Sequence, residues 1–177
     1  MRRVIYLKSG GKNCTGQIYL AFLERAFSEC DYFMLVYVFR RGSRYVTELR
    51  RCRETLEPYL VKRRMQPYWP GTTLPYTPGV RYEVTFYRTA PETKAILQGA
   101  SALADWAAPR RPQDLAFFRR NRCWFFSSSV RREAALLHAS AEDIALLVRL
   151  GLADPSGVQP EERYYDLYDE QLETYYC

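Results

Sequence analysis

Apolar and polar residues follow two different periods near the start of the chain. Apolar side chains recur at steps of three and four residues through Gln17–Cys30, a spacing that predicts one amphipathic helix. The short run Arg2–Lys8 before it predicts a strand, and the continuous apolar run Tyr32–Phe39 ("YFMLVYVF") predicts a strand buried on both faces. Strand, helix and strand in this order predict a right-handed crossover between two parallel strands.

The pattern that follows predicts further helices and strands as far as residue 150. Helices are expected over Tyr45–Glu57, 91–99 and Ser140–Leu150, and strands over Tyr59–Met65, Val80–Thr89 and, as a three-stranded antiparallel meander, Asp114–Ala139. Thr89 and Ser140 are each followed three residues later by an acid, which is the capping box that begins a helix. This order favours an α+β (or α/β) two-layer sandwich. Its helices pack on a mixed sheet, which combines the N-terminal βαβ unit with the C-terminal meander.

The composition of the chain changes after Ala153. Residues 1–153 have the apolar content of a single globular domain, whereas residues 154–177 form an acidic, tyrosine-rich tail. If the tail is helical, Tyr165, Tyr168 and Leu172 lie on one side of it and acids on the remaining side. Such a segment is expected either to dock on its own domain or to engage a partner.

Charge is distributed unevenly. The chain carries +6, but residues 161–177 hold six acids and one base, so the first 160 residues carry about +11. A basic body rich in Arg and aromatic residues is typical of nucleic-acid-binding proteins. The candidate residues lie on the second helix and the strand after it: Arg50, Arg51, Arg53, Lys62, Arg63 and Arg64. The arginines of the meander fall at opposite ends of its strands, so RNA or DNA binding is an alternative that is not favoured.

The cysteine pattern and the hydropathy favour a cytoplasmic protein. The five cysteines are an odd number without C-x-x-C spacing, which argues against a disulfide framework or a metal site. The apolar run after Arg2 and Arg3 is too short for a secretory signal, and no run is long enough to span a membrane. No metal and no cofactor are therefore predicted.

A glycine-rich loop follows the first predicted strand. Ser9, Gly10, Gly11 and Lys12 stand between a strand and a helix, an arrangement that holds phosphates in other proteins. The loop resembles the S-G-G-x-D-S signature of the PP-loop ATP pyrophosphatases, although Asn13 and Cys14 replace its acid and its hydroxyl. A nucleotide- or phosphate-binding enzyme using this loop is one alternative, and a simple strand-to-helix turn is the other.

No catalytic residue is predicted. The lone His138 lies in an apolar stretch and has no Cys or Ser–Asp companion at a catalytic spacing. The serines Ser127–Ser129 lack the G-x-S-x-G context of a nucleophile. Both are expected to be structural.

The favoured hypothesis is a non-enzymatic protein-binding or regulatory module. Residues 66–79 ("QPYWPGTTLPYTPG") form a loop rich in proline and aromatic residues, and aromatic anchors are typical of protein interfaces. The candidate binding residues of the loop, the meander and the tail are Tyr68, Trp69, Tyr76, Trp124, Tyr165 and Tyr168. The expected partner is another protein or a second copy of the chain.

The meander also carries a family resemblance. The stretch 112–130, with Cys30–Tyr37 and Leu56–Thr72 before it, resembles a group of small bacterial proteins of unknown function, some labelled stage III sporulation protein AH. The matching positions are Asp114, Leu115, Phe117, Phe118, Cys123, Trp124, Ser127 and Ser129. Val130 and Arg131 stand where that group has His-Glu. The resemblance implies a shared fold and no particular activity.

Overall fold

Four helices and one large sheet make up the computed structural model, which describes residues 3–160. The helices are α1 (Gly16–Glu29), α2 (Val46–Leu56), α3 (Pro91–Gln98) and α4 (Ala141–Arg149). The strands are β1 (Arg3–Tyr6), β2 (Tyr32–Arg40), β3 (Leu60–Met65), β4 (Tyr68–Trp69), β5 (Thr72–Thr73), β6 (Val80–Arg88), β7 (Gln113–Arg119), β8 (Arg122–Ser128), β9 (Glu133–Leu136) and β10 (Val158–Pro160). The predicted helices and the main strands are thus present, with ends shifted by up to three residues.

Eight of the strands form one sheet in the order β10-β1-β9-β8-β7-β2-β6-β3, and β4 and β5 form a separate hairpin. The α+β sandwich is confirmed. Every pairing of this sheet within residues 3–160 is antiparallel, so the predicted mixed sheet with a parallel first pair is not formed. β1 and β2 do run in the same direction, but β9, β8 and β7 lie between them. The meander lies between β1 and β2 because its outer strands pair with them, and these pairs are distant in sequence. The strand–helix–strand pattern does not reveal such pairs.

All four helices pack on one side of the sheet, which we call the helical face. The apolar stripe of α1 is buried against it, and Phe22 contacts the rings of Phe117, Trp124 and Phe125. β2 is buried on both faces, as its apolar run predicts. Alternate residues such as Leu35 enter this core, and the intervening ones point to the opposite side.

The opposite side of the sheet is equally apolar. It carries a second core of alternate strand residues, including Met34, Val36, Val84 and Phe86, each at most 1% exposed. None of the helices within residues 3–160 contributes a side chain to this core. We call this side the helix-free face.

Two predicted boundaries require correction. The sheet continues to Pro160 through β10, seven residues beyond the predicted end of the domain, because Arg3 and Val4 pair with this short edge strand. At α3 the residue before the helix is Ala90, whose N–H donates to Thr93 Oγ1 at 2.9 Å, so Thr89 does not form the predicted cap.

The capping box of α4 is present as predicted. The backbone N–H of Asp143 donates to Ser140 Oγ at 3.1 Å, and the N–H of Ser140 donates to Asp143 Oδ2 at 3.0 Å. Within residues 3–160 no helix has the length and apolar character that a membrane crossing requires.

Candidate functional site

The proline- and aromatic-rich loop lies flat on the helix-free face and is held there by a buried polar cluster. Trp69 Nε1 donates to Asp114 Oδ2 at 2.7 Å, and the N–H of Ser129 donates to Asp114 Oδ1 at 2.8 Å. Thr72 Oγ1 donates to the same carboxylate at 3.3 Å and lies 2.6 Å from Ser128 Oγ. We call residues 66–79 the anchored loop.

Asp114 is the centre of this cluster. It is fully buried and has a positive φ of 60°. Burial raises the pKa of its carboxyl above the ordinary value, and the donors from Ser129, Trp69 and Thr72 oppose that rise. The donors of Trp69, Thr72 and Ser129 make Asp114 a structural acceptor for the loop.

The predicted aromatic anchors fall in very different places. Trp69 is fully buried and Trp124 is 2% exposed, so neither ring is available to a partner in this conformation. Trp124 Nε1 instead donates to Asp143 Oδ2 at 3.3 Å. Tyr68 is half-buried, whereas Tyr76 at the loop tip is 84% exposed.

The remaining two candidate anchors, Tyr165 and Tyr168, lie outside the described residues. The same holds for nearly all of the predicted acidic tail. Only residues 154–160 of it are described, and they form the short turn and β10.

The predicted phosphate loop is a tight left-handed turn. Ser9, Gly10 and Gly11 have φ values of 50°, 63° and 79°. A Cβ on Gly10 would lie 2.1 Å from the carbonyl oxygen of Arg132, and one on Gly11 would lie 2.8 Å from Leu103 Cδ2. Both glycines are therefore required, because the turn packs directly against the β8–β9 turn and residue 103.

Backbone donors in and after this turn are engaged by backbone carbonyl oxygens. The N–H of Gly10 donates to Leu7 O at 3.2 Å, and that of Lys12 donates to Ser9 O at 3.2 Å. The first N–H of α1, that of Gly16, donates to Ser101 O at 2.8 Å. These groups are not arranged as in a pyrophosphatase loop, where the amides face the phosphate. The Cys14 thiol, fully buried beside the turn, has a pKa raised to about 12 by burial.

A cleft of about 290 Å³ opens beside the turn, and we call it the glycine-turn cleft. Its walls come from the glycine turn, the end of β8, the β8–β9 turn and the segment before β7. The lining residues are Ser9, Gly10, Lys12, Leu103, Ala104, Trp106, Ala107, Ser127, Ser128, Ser129, Arg132 and Glu133. The cleft thus brings the predicted glycine loop together with the serines of the meander.

Two exposed cations, Lys12 and Arg132, lie on different walls of the cleft. Within residues 3–160 neither of them forms an ion pair. The acid in the cleft is Glu133, whose buried Oε2 has no hydrogen-bond partner there. The cleft therefore offers two positive groups to a ligand, and the Glu133 side chain forms part of its wall.

Three described residues other than glycine with a positive φ lie in or beside this cleft, whereas Arg120 and His138, which also have a positive φ, line another groove. Ser9 (φ 50°) and Arg132 (φ 56°) line it, and Asp114 (φ 60°) accepts from Ser129 in its wall. Left-handed conformations of residues other than glycine cost free energy, and they cluster at functional sites. Arg132 and Asp114 were not predicted as site residues. Adjacent basic residues in a turn usually contact only solvent, so the sequence did not indicate a site at Arg132. Only the fold shows that this residue lies in the wall of the cleft.

The six predicted nucleic-acid residues do not form one patch. Arg53 and Arg63 both bind the buried Glu83, at 3.0 and 3.1 Å, on the helical side. Lys62 and Arg64 pair in register with Phe86 and Val84 and so lie on the helix-free face. Arg50 and Arg51 are exposed on α2. The basic residues are thus divided between the two faces of the sheet, and two of them are bound to the same acid.

The lone His138 lines a different groove, of about 820 Å³, together with Cys123 and Trp124. Charged residues of both signs surround it: Glu29, Asp31, Arg119, Arg120 and Arg122. Arg119 already pairs with Glu29 at 2.9 Å. Within residues 3–160 no cluster of three or more His, Cys, Asp or Glu residues could hold a metal ion.

Comparison of the chain with protein-family models, curated proteins and solved structures finds no match. The resemblance of the meander to the small bacterial proteins therefore stays a prediction. Any functional conclusion has to come from the geometry of the protein itself.

Proposed function

We propose that this protein is a non-enzymatic binding protein that takes a small anionic ligand, such as a phosphate ester, in the glycine-turn cleft. The single observation that carries the proposal is a pair of cations, Lys12 and Arg132, on two walls of one cavity, neither of which forms an ion pair with a described acid. Charged groups that converge on a concave surface attract an ion of opposite charge more strongly than isolated surface charges do.

The rest of the lining supports an organic phosphate over a bare ion. Trp106 and Leu103 offer apolar surface beside the cations, as pockets for small organic ligands usually do. The Glu133 carboxylate in the same lining can accept a hydrogen bond from a hydroxyl or amine of the ligand. A volume of about 290 Å³ suits a ligand of about one sugar phosphate in size.

The protonation of Cys14 and the hydrogen bonds of Asp114 favour binding without catalysis. The Cys14 thiol is protonated at neutral pH because burial raises its pKa to about 12. Asp114 is enclosed by donors of the anchored loop and does not line the cleft. Among the serines that line the cleft, Ser128 is engaged with the anchored loop, since its Oγ lies 2.6 Å from Thr72 Oγ1.

Ligand-induced stabilisation tests the proposal. The melting temperature is measured with millimolar phosphate, pyrophosphate, ribose 5-phosphate or ATP, and at least one of these should raise it. Lys12→Ala and Arg132→Ala should each remove the shift, whereas Arg51→Ala, an exposed cation on α2, should keep it. No shift with any of the four ligands, or an equal shift in all variants, would contradict the proposal.

Gly10→Ala tests whether the cleft depends on the close approach of the two turns. The new Cβ would lie 2.1 Å from the Arg132 carbonyl oxygen, so the β8–β9 turn must move and ligand binding should be lost. Gly42→Ala is the matched control, since Gly42 has a φ of 78° but nothing within 4 Å of a Cβ. Strain alone should cost each variant about 1 kcal/mol or more. Equal ligand binding by the two variants would show that the turn contact is unimportant.

Protein binding through the loop tip is a second candidate. Tyr76 is 84% exposed on a loop whose base is fixed by Trp69 and Asp114, and a rigidly presented aromatic ring is a typical interface anchor. Affinity capture with the wild type and with Tyr76→Ser should then differ by one specific partner, which Thr77→Ser should retain. Identical capture by all three forms would exclude Tyr76 as the anchor.

A further inference from the structure

A second cavity adjoins the glycine-turn cleft. It has a volume of about 410 Å³ and lies between the residue that precedes α2 and the segment that precedes β7. Tyr45 lines it on the first side, and Arg110 and Arg111 line it on the other. We call this cavity the tyrosine pocket.

The tyrosine pocket and the glycine-turn cleft share a wall. Ala104 and Ala107 line both cavities, so no long side chain at these two positions separates them. Arg111 lines the tyrosine pocket, and its guanidinium carbon lies 5.5 Å from the ring centre of Trp106, which lines the glycine-turn cleft. A cation of one cavity thus lies next to a side chain of the other.

Two guanidinium groups converge on the phenol of Tyr45. Arg44 Nη2 donates to Tyr45 Oη at 2.7 Å, and the guanidinium carbons of Arg44 and Arg110 lie 4.8 and 5.9 Å from the centre of the Tyr45 ring. Hydrogen bonds from Arg110 and Arg44 hold the pKa of this phenol below its ordinary value. The two arginines come from distant segments of the chain, so the fold brings them to one oxygen atom.

The charges around the tyrosine pocket are mainly positive. The acid in its lining is Asp105, whose Oδ2 already accepts from the N–H and the Oγ of Ser101, both at 2.8 Å, and whose charge interacts with that of Arg111. Within residues 3–160 neither Arg44 nor Arg110 forms an ion pair. Among the described residues these two cations are therefore bound to a phenol oxygen and to no carboxylate.

The groups around the phenol mainly offer hydrogen-bond donors. A guanidinium has five N–H donors and no acceptor. The oxygen of Tyr45 accepts from Arg44, and its O–H can still donate. Donors of this kind match the oxygens of a phosphate group, which guanidinium groups bind through pairs of hydrogen bonds. The tyrosine pocket is thus complementary to a phosphate.

We propose that the ligand of this protein carries two phosphate groups on one small organic body, with one phosphate in the glycine-turn cleft and the other in the tyrosine pocket. The first phosphate is the one that Lys12 and Arg132 bind in the proposed function, on which this inference rests. The second is bound by Arg44, Arg110 and the O–H of Tyr45. The organic body crosses the shared wall, so the ligand class is a bisphosphate of about the size of a phosphorylated sugar.

Tethering through one ligand lets an exposed site contribute to affinity. Arg44 and Arg110 are exposed, so water and salt weaken their attraction for a free phosphate. When the first phosphate is bound, the second is held beside them at an effective concentration on the order of millimolar. The tyrosine pocket therefore strengthens the binding of a bisphosphate and does not retain a monophosphate by itself.

A matched pair of ligands tests the second phosphate site. The dissociation constants of ribose 5-phosphate and ribose 1,5-bisphosphate are measured by isothermal titration calorimetry with the full chain at constant ionic strength. The wild type should bind the bisphosphate about tenfold or more tightly than the monophosphate. Arg110→Ala and Tyr45→Phe should each bring the two affinities close together and leave that for the monophosphate unchanged. Arg51→Ala, which removes an exposed cation on α2, should keep the wild-type ratio.

The outcomes separate this site from the glycine-turn cleft. Equal affinities of the wild type for the two ligands would overturn the second phosphate site and leave the cleft intact. A preference for the bisphosphate that persists in Arg110→Ala would also overturn it, because the preference would then come from the overall charge of the protein. Absence of binding of both ligands would overturn it as well, and the melting experiment with four ligands would then decide about the cleft separately.

The resonance of Tyr45 provides a second readout, one that a merely structural role of the arginines would not produce. The wild type is isotope-labelled at Cζ of tyrosine, and the signal of Tyr45 is identified by its loss in Tyr45→Phe. Saturation with the bisphosphate should move this signal, and saturation with the monophosphate should not. The bound bisphosphate should also raise the pKa of the phenol, because a phosphate beside it opposes the loss of its proton. An unchanged Tyr45 signal with the bisphosphate bound would overturn the proposal.

Discussion

The two faces of the sheet are both apolar, but they are covered in different ways. On the helical face, α1 buries Tyr19, Phe22, Leu23 and Ala26 in a contiguous core. On the helix-free face, the cover within residues 3–160 is a loop held by hydrogen bonds to Asp114. The first layer thus combines the apolar burial of helices with polar contacts such as that of Arg25 with Asp143. The difference teaches that a loop without an apolar helix stripe depends more heavily on a few polar contacts between residues far apart in sequence.

Phe22→Ala and Phe126→Ala compare the two covers directly and should have the largest effects. Phe22 is fully buried among three aromatic rings of the sheet, so its loss should lower the free energy of unfolding by about 3 to 5 kcal/mol. Phe126 lies under Gly71 of the loop, which can settle into the vacated space, so we expect about 2 to 3 kcal/mol. Denaturant unfolding measures both values. A larger loss for Phe126 would mean that the loop is as rigid as the helices.

Two buried acids, Asp143 on the helical face and Asp114 on the helix-free face, should make the free energy of unfolding depend on pH with opposite signs. For Asp143, burial favours a higher pKa, but the Ser140 N–H and Arg25, whose Nη2 lies 2.8 Å away, outweigh it and lower the pKa below 3.8. Its contribution to stability is therefore present above that value and is lost as the pH falls below it. Asp143→Asn should cost about 2 to 3 kcal/mol at neutral pH, and the difference from the wild type should shrink in acid.

Asp114 supplies the opposite case because burial raises its pKa. The folded protein then binds a proton at Asp114 more readily than the unfolded chain does, and stability from this group increases as the pH falls. The difference between the wild type and Asp114→Asn should therefore widen in acid. Unfolding free energies of the wild type and both variants, from about pH 7 to about pH 3, measure the two slopes. Slopes of the same sign would contradict this comparison.

The smallest expected effects are those of Trp69→Phe and Trp106→Phe, which compare one hydrogen bond on each side of the sheet. Each substitution keeps an aromatic ring and removes one indole N–H donor. Trp69 Nε1 donates to the carboxylate of Asp114 at 2.7 Å, whereas Trp106 Nε1 donates to the neutral hydroxyl of Tyr19 at 2.8 Å. We expect a loss of about 2 kcal/mol for Trp69→Phe and about 1 kcal/mol for Trp106→Phe, because bonds to charged groups are stronger. Chemical denaturation measures both, and equal losses would mean that Asp114 is not ionised.

The sequence predicted the elements better than their arrangement. The period of Gln17–Cys30 and the apolar run Tyr32–Phe39 correctly gave a helix and a doubly buried strand, since each depends on local spacing alone. The parallel pairing of the first two strands was wrong, because three strands of the meander lie between them. Strand pairing depends on contacts far apart in sequence, and nothing in a local pattern records them.

In the candidate site, too, the local features were predicted and the long-range ones were not. Ser9, Gly10, Gly11 and Lys12 were predicted as an anion loop, and all but Gly11 line the cleft. The opposing wall with Arg132 could not be predicted, because the turn that carries it is 120 residues away in the chain. Trp69 and Trp124 resembled interface anchors because composition does not show whether an aromatic ring is inside or outside.

The sequence by itself determined the helices, the main strands, the α+β class and the contrast between a basic body and an acidic end. These properties follow from spacing and composition, which are local. Only the tertiary structure decided which face each strand presents to the helices, that Asp114 anchors the loop, and that Lys12 and Arg132 share a cleft. Those results depend on how distant segments pack, and the energy of packing belongs to pairs of segments and not to either one alone.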